Sequence, residues 1–161
     1  MTDYLTLVEG LAIHRDQIER YGGAFGVRDY GLLEAALYRP QTGYYASLTE
    51  EAAKLWESLS ENHPFIDGNK RTAFAAAYTF LAINGQELTA DALLTFKFVA
   101  GLYETNEMAF ERLAEWLRLH VKIRVPRDEL ENLAVKAGCG QSLRTGISGP
   151  TVVFHTCYPF S

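Results

Sequence analysis

Cysteine is scarce in this chain of 161 residues, and long apolar runs are absent. Its two cysteines, Cys139 and Cys157, form no CxxC pair and belong to no His/Cys cluster, so the sequence predicts no structural zinc site. No apolar run approaches the roughly 20 residues of a membrane-spanning helix. The first residues lack the basic-then-apolar pattern of a signal peptide. We therefore expect a cytoplasmic protein that does not act on a membrane.

Basic residues are also fewer than acidic residues. The chain has 15 Lys and Arg residues against 20 Asp and Glu residues, a formal net charge of −5. No basic tail or stripe appears, which argues against broad electrostatic binding to nucleic acid. The remaining composition, 48% hydrophobic and 22% charged, is ordinary for a globular domain that folds without disulfides or metals.

Apolar spacing and capping residues predict an all-α fold. Thr6 and Ser47 each begin a capping box, with a Glu three residues later. No alternating strand pattern longer than a few residues appears before residue 126. The predicted helices cover residues 7–21, 29–37, 47–62 and 68–84, then a fifth from Thr89 or Asp91 to 103, and a sixth from Asn106 to 121.

The fourth of these helices is predicted to lie at the centre. From Ala73 to Ile83 almost every residue is apolar, and a helix that is apolar on all sides is a buried helix. We therefore expect a compact bundle of about six helices around it. A buried helix cannot drift, so its first turn could support a precise site.

The composition shifts after residue 125. We expect a domain at residues 1–125 and a short irregular C-terminal extension at 126–161, with a helix at 127–137, a glycine-rich link at 138–149 and a short strand at 151–154. Two interpretations of the extension stay open. It is either an appendage of marginal order or a segment whose apolar end covers a groove or pairs with a partner.

The ten residues from His63 to Thr72 carry the strongest functional signal. They place a histidine, a carboxylate, a glycine, an amide and two cations directly at the start of the fourth helix. Backbone N–H groups at a helix start bind anions, and a Lys and an Arg in the first turn suit linked phosphates. His63 could accept a proton there as a general base, although a lone histidine in such a loop is more often structural.

The residues after His63 each have two interpretations. Asp67 is either an ordinary N-cap or a ligand of Mg²⁺, which on nucleotides is held by one or two carboxylates plus phosphate oxygens and waters. Gly68 would let a phosphate approach the backbone, and Asn69 could donate its amide to it. Lys70 and Arg71, normally solvated charges, would here neutralise phosphate.

This run resembles the signature of the Fic/Doc family, HxFx(D/E)GN followed by a basic stretch, and more closely its Doc ("death on curing") branch, HxFxxxNKR. The resemblance covers residues 4–125 and includes the segments Gly26–Pro40 and Phe80–Gly85. It implies a Fic-type helical bundle. It also implies that His63 is the general base, that Asp67 binds Mg²⁺ and that Asn69 lines the anion hole.

The chain departs from the pattern GNGRxxR of the AMP-transferring Fic branch at two positions. Lys70 stands at the second glycine, and Phe74 stands at the final arginine. Within the family, this change accompanies a reversed nucleotide pose in Doc proteins, with the γ-phosphate of ATP facing the attacking hydroxyl.

The resemblance therefore implies a Doc-type toxin of a toxin–antitoxin pair. Such a toxin transfers the γ-phosphate of ATP, with Mg²⁺, to a Ser or Thr hydroxyl of a host protein. The family suggests elongation factor Tu as the target and translation arrest as the outcome. It also implies a cognate antitoxin on a separate chain. The charge pattern, rather than the resemblance, argues against a nucleic acid as a direct partner. Three alternatives stay open: an AMP transferase, a catalytically inactive nucleotide-binding interaction module, and a hydrolytic metal site at His63 and Asp67.

Two further features have competing interpretations. His14 falls on the apolar stripe of the first helix, where we expect a satisfied core histidine rather than a ligand. The loop at residues 39–45, with its two tyrosines, is either a plain turn or a flap that holds the target peptide.

Overall fold

The computed structural model describes residues 1–126 and Glu129. Within that part of the chain the fold is all-α, as predicted, with one small two-stranded sheet. In the same residues, no helix combines the length and apolar character needed to cross a membrane. The elements are α1 (Leu7–Tyr21), α2 (Tyr30–Tyr38), a short 3-10 helix (Arg39–Thr42), α3 (Leu48–Asn62), α4 (Asn69–Ile83), β1 (Gln86–Leu88), α5 (Ala92–Glu104), α6 (Phe110–His120) and β2 (Val121–Ile123).

Four of these α-helices begin at a capping side chain. Thr6, Asp29, Ser47 and Asp91 accept hydrogen bonds from backbone N–H groups in the first turns of α1, α2, α3 and α5. Each cap satisfies one of the donors that a helix start leaves unpaired. The starts of α4 and α6 have no such capping bond.

The helix predicted to be central is α4, which is largely buried and packs against α1, α3 and β1, whereas α3 packs against α2, the 3-10 helix, α4 and α6. The buried ring of Phe74 meets Trp56 of α3 edge-on, with 5.0 Å between the centroids. Burial is not complete around the helix, because Tyr78 and Ile83 are 38% and 44% exposed. The buried residues of α4 are Arg71, Thr72, Ala73, Phe74, Ala76, Ala77, Phe80 and Leu81.

The last helix begins later than predicted. α6 starts at Phe110 rather than at Asn106, because Asn106 takes a left-handed conformation with φ of 53°. Val121, the last residue of that predicted helix, belongs to β2. β2 pairs antiparallel with β1, in a register that sets Gln86 opposite Ile123. Three-residue strands are too short to show alternation in a sequence.

The predicted C-terminal extension lies almost entirely outside the described residues. Of the helix predicted at 127–137, only Glu129 is described, and the link at 138–149 and the strand at 151–154 fall wholly outside. The division into a domain at 1–125 and an extension at 126–161 therefore stays a prediction.

Candidate active site

A cavity of about 300 Å³ opens at the N-terminal end of α4. This volume is at the lower end of the range for small-molecule sites, about 300–1,000 Å³. All six residues that the sequence predicted for the site lie on this cavity, together with Ile66, to which no role was assigned. The lining residues are His63, Ile66, Asp67, Gly68, Asn69, Lys70 and Arg71.

The start of α4 is a glycine without a side-chain cap. Gly68 occupies the N-cap position with a left-handed φ of 72°. A Cβ atom at Gly68 would lie 2.9 Å from Cδ1 of Ile18 and 3.3 Å from Nη2 of Arg71, so another residue would have to displace them. The first-turn N–H groups, with the positive end of the helix dipole, therefore lie uncapped at the cavity.

His63 is exposed at the cavity and ends α3 in a left-handed conformation, with φ of 46° and ψ of 55°. This conformation costs a residue other than glycine roughly 1–3 kcal/mol, and such residues cluster at active sites. The next residue, Pro64, is buried, and its carbonyl accepts hydrogen bonds from the N–H groups of Arg28 (2.7 Å) and Asp29 (3.1 Å). These contacts keep the strained histidine in place.

A glycine-rich loop, residues 22–29, packs against the segment between α3 and α4 and so supports the site. The sequence pattern did not assign this loop to the site. The N–H of Ile66 donates to the carbonyl of Gly26 at 3.0 Å, and Val27 and Phe65 form an isolated antiparallel β-bridge. A Cβ atom at Gly26 would lie 2.6 Å from Cδ1 of Ile66. The glycines at positions 22, 23 and 26 were the available signal for this close approach.

Asp67 presents an exposed carboxylate that two backbone donors hold in place. Its Oδ1 accepts from the N–H of Gly68 at 2.6 Å, and its Oδ2 accepts from the N–H of Ala24 at 3.2 Å. These bonds, first that to Gly68, lower the pKa of Asp67 and keep the carboxylate ionised at neutral pH. The N-cap interpretation of Asp67 is wrong, because Gly68 occupies the cap position.

The carboxylate of Asp67 fits a Mg²⁺ ion that arrives with a nucleotide. Each carboxylate oxygen has a second lone pair beyond the one that its backbone donor uses. Within the described residues, no group of three or more His, Cys, Asp or Glu side chains could hold a metal ion alone. This donor set suits a cation that keeps waters and phosphate oxygens as ligands, as Mg²⁺ does, better than a hydrolytic site at His63 and Asp67.

Asn69 connects the first turn of α4 to the preceding loop. Its Oδ1 accepts from the N–H of Phe65 at 2.8 Å, and its Nδ2 donates to the carbonyl of the same residue at 2.9 Å. One amide hydrogen is left over for a phosphate oxygen. Asn69 thus positions the loop as well as lining the cavity.

The two cations of the motif are held differently. Arg71 is only 8% exposed, and its Nη2 donates to the carbonyl of Gly22 at 2.9 Å. Lys70 is exposed, and its Nζ lies 4.2 Å from the ring centroid of Tyr103, which is in α5. Sequence reasoning did not assign Tyr103 to the site, because nothing in the sequence relates α5 to the motif.

His14 is buried, hydrogen-bonded and outside the cavity, as expected for a core histidine. Its ring stacks on Phe65 with 3.9 Å between the centroids, and its Nε2 lies 2.9 Å from the carbonyl oxygen of Asp67. Burial lowers the pKa of His14, so the ring is neutral at neutral pH and Nε2–H donates to that carbonyl. Phe65 is 2% exposed, so its buried ring anchors the loop between α3 and α4.

The loop at residues 39–45 begins with the 3-10 helix, and none of its residues lines the cavity. Pro40 is buried, and the ring of Tyr45 packs at a tilt against Phe110, with 5.6 Å between the centroids. The distinction between a flap and a plain turn stays open.

Comparison with known proteins identifies the same part of the chain. The model of the Fic/DOC family matches residues 4–81, which include α1, α3, most of α4 and the whole cavity lining. Toxin Doc of Mycolicibacterium smegmatis is 55% identical over 76 residues, which are 44% of this chain. The match spans 58% of that relative, which is less than two thirds of its length.

A second relative is covered more fully. The protein kinase doc of Escherichia phage P1 is 34% identical over 114 residues, which are 68% of this chain and 89% of the relative. Identity at this level over most of a protein, together with the family match around the cavity, identifies the family. This chain therefore belongs to the Fic/Doc family, on the Doc branch that its motif indicates.

Proposed function

We propose that this protein is a Doc-type toxin that transfers the γ-phosphate of ATP to a Ser or Thr hydroxyl of a host protein. The observation that carries the proposal is the cavity itself. One opening brings together the imidazole of His63, the carboxylate of Asp67 and the uncapped start of α4 with its two cations. Phosphoryl transfer needs a base, a metal-binding carboxylate and a charge-stabilising cradle, and little else from the protein.

In the proposed reaction, His63 takes the proton from the target hydroxyl as its oxygen attacks the γ-phosphorus. The new bond joins that oxygen to phosphorus, the bond between the γ-phosphorus and the bridging oxygen breaks, and ADP leaves with the electron pair. The uncapped N–H groups in the first turn of α4, the amide of Asn69 and the charges of Lys70 and Arg71 stabilise the equatorial oxygens. Asp67 would hold Mg²⁺, which would supply positive charge to neutralise the phosphates of ATP.

The two departures from the AMP-transferring pattern favour transfer of the γ-phosphate. Lys70 fills the place of a glycine with a long cationic side chain at the cavity. Phe74 lies in the core against Trp56, so it supplies no charge for a distal phosphate. The name of the phage relative, protein kinase doc, supports the same choice.

The biological setting is also part of the proposal. The name toxin Doc of the Mycolicibacterium relative supports a toxin that a cognate antitoxin on another chain keeps inactive. We propose elongation factor Tu as the target, translation arrest as the result and the cytoplasm as the location. The net charge of −5 supports protein rather than nucleic acid as the direct partner.

Labelled ATP tests the reaction. Purified elongation factor Tu is incubated with the protein, Mg²⁺ and ATP that carries the label on either the γ- or the α-phosphate. Label from the γ-position alone, and the mass of one phosphate on the intact target, is the expected result. Label from the α-position would establish AMP transfer instead.

Expression in a sensitive bacterial host separates an enzyme from an inactive module. We expect growth arrest from the unaltered chain, relief on co-expression of the cognate antitoxin, and normal growth with His63→Asn. Growth arrest that persisted with His63→Asn would support an interaction module that acts without chemistry.

A further inference from the structure

The ammonium of Lys70 lies over the face of an aromatic ring from a distant part of the chain. Its Nζ is 4.2 Å from the ring centroid of Tyr103, within the distance of about 6 Å at which a cation is attracted to an aromatic face. Lys70 lines the cavity, whereas Tyr103 is in the last turn of α5 and is not among the lining residues. The contact therefore joins α5 to the site.

The ring of Tyr103 is itself fixed. It is partly buried, and its hydroxyl lies 3.3 Å from Oγ of Ser60, which is in the last turn of α3, shortly before His63. Burial raises the pKa of the Tyr103 hydroxyl, so the ring stays neutral. α3 and α5 together hold the aromatic face at which the lysine rests.

An aromatic partner positions a cation without cancelling its charge. Within the described residues, no salt bridge involves Lys70. A carboxylate in the place of the ring would compete with a phosphate for the ammonium, whereas a neutral ring leaves the full positive charge available. A free lysine has many rotamers, and their loss on binding weakens affinity.

We infer that Tyr103 is a positioning residue for the nucleotide: its ring holds the ammonium of Lys70 at the cavity before the phosphates bind. This inference rests on the proposed function, because it assigns the terminal phosphates of ATP to Lys70. The immobilised ammonium meets those phosphates without a further loss of side-chain freedom. Tyr103 touches neither the phosphates nor the target hydroxyl and acts only through Lys70.

The affinity for Mg²⁺-ATP, measured by isothermal titration calorimetry on the full chain, tests this role. Tyr103→Leu removes the aromatic face, and we expect the affinity to fall about 2- to 10-fold, the range expected for immobilising one flexible side chain. Tyr103→Phe keeps the ring and loses the contact with Ser60, and we expect it to bind ATP within about 2-fold of the unaltered protein.

A double-mutant cycle separates positioning from a general loss of structure. In a Lys70→Met background, Tyr103→Leu should cause no further loss of affinity, because no ammonium is left to position. A purely structural effect of Tyr103→Leu would persist in that background and would overturn the inference. So would unchanged or tighter ATP binding in the single variant Tyr103→Leu, the latter because the ring would then be drawing Lys70 away from the phosphates.

The ring contact has a signature that does not depend on any nucleotide. In the nucleotide-free protein, the ε-methylene protons of Lys70 should show an upfield ring-current shift in the NMR spectrum that Tyr103→Phe retains and Tyr103→Leu abolishes. Absence of that shift in the unaltered protein refutes the inference alone. Absence of any Mg²⁺-ATP binding in the unaltered protein refutes the proposed function, and this inference with it.

Discussion

A glycine and an asparagine stand at each end of α4, but one end of the helix is closed and the other is open at a cavity. Gly68 precedes the helix and Gly85 follows it, and both have φ of 72°. Asn69 begins the helix and Asn84 ends it, and the amide of each bonds to backbone atoms. Composition alone therefore does not distinguish the two ends.

The two ends differ in the hydrogen-bond partners of their asparagines. The amide of Asn84 accepts from the N–H of Asp3 and donates to the carbonyls of Asp3 and Phe80, each at 2.8 Å, so that end is closed. The amide of Asn69 is drawn back to the preceding loop, and the helix start is left uncapped at a cavity. The amide of Asn69 therefore leaves the N–H groups of this helix end available to a ligand.

We expect the strongest effect on the rate of phosphate transfer when His63, beside the open N-terminal end of α4, is replaced. His63→Ala should lower the rate of transfer about 10²- to 10⁴-fold, because it removes the general base. Labelled-phosphate transfer to the target measures the rate. His63→Asn is the matched control for the fold, since Asn tolerates the left-handed conformation of this position: it should lose activity equally and keep the thermal stability. Activity that survived either change would remove His63 from the mechanism.

The next strongest effect should be a loss of stability when the glycines that flank α4, Gly68 and Gly85, are replaced. Gly85→Ala meets nothing within 4 Å, so we expect only the cost of a left-handed alanine, about 1 kcal/mol of unfolding free energy. Gly68→Ala has the same φ and also crowds Ile18 and Arg71, so we expect about 2–4 kcal/mol and weaker ATP binding. Chemical denaturation and calorimetry measure both. Equal losses of stability in the two variants would show that the close approach at Gly68 is relieved without cost.

The two asparagines at the ends of α4 should differ in their effect on activity but not on stability. Asn69→Ala and Asn84→Ala each remove backbone hydrogen bonds and should each lower the unfolding free energy by about 1–2 kcal/mol. Only Asn69→Ala should also reduce transfer, by about 10-fold or more, because the loop between α3 and α4 loses its connection to the helix. A comparable loss of activity in Asn84→Ala would mean that the site depends on the stability of the whole helix.

The weakest effect we expect is on how the unfolding free energy depends on pH. Burial gives the folded protein a pKa for His14 below that of the unfolded chain, about 6.5, so the unfolded state binds more protons as the pH falls. Stability from the neutral ring is complete above that value and declines as the pH falls from it toward the folded pKa. His14→Phe keeps the stacking on Phe65 and cannot titrate, so its unfolding free energy should vary less between pH 7 and pH 5. A variant with the unaltered pH dependence would assign that dependence to another group.

Much of the fold could be predicted from local patterns. Thr6 and Asp91 are N-caps, as expected, because a short polar side chain before an apolar stripe has few other favourable arrangements. The start of α6 was predicted wrongly, because Asn106 is equally suited to a cap and to a left-handed turn. The pairing of β1 with β2 could not be predicted, because it joins short segments more than 30 residues apart.

The family, the all-α class, the buried fourth helix and the set of motif residues around the cavity could all be predicted from the sequence. This was possible because those features depend on neighbours along the chain: the caps, the helical period and the dense run from His63 to Thr72. The sequence could not show that Gly68 and not Asp67 caps α4, that the 22–29 loop supports the site or that Tyr103 lies beneath Lys70. The contacts of the 22–29 loop and of Tyr103 join elements far apart in sequence, and tertiary packing, not any local pattern, brings them together.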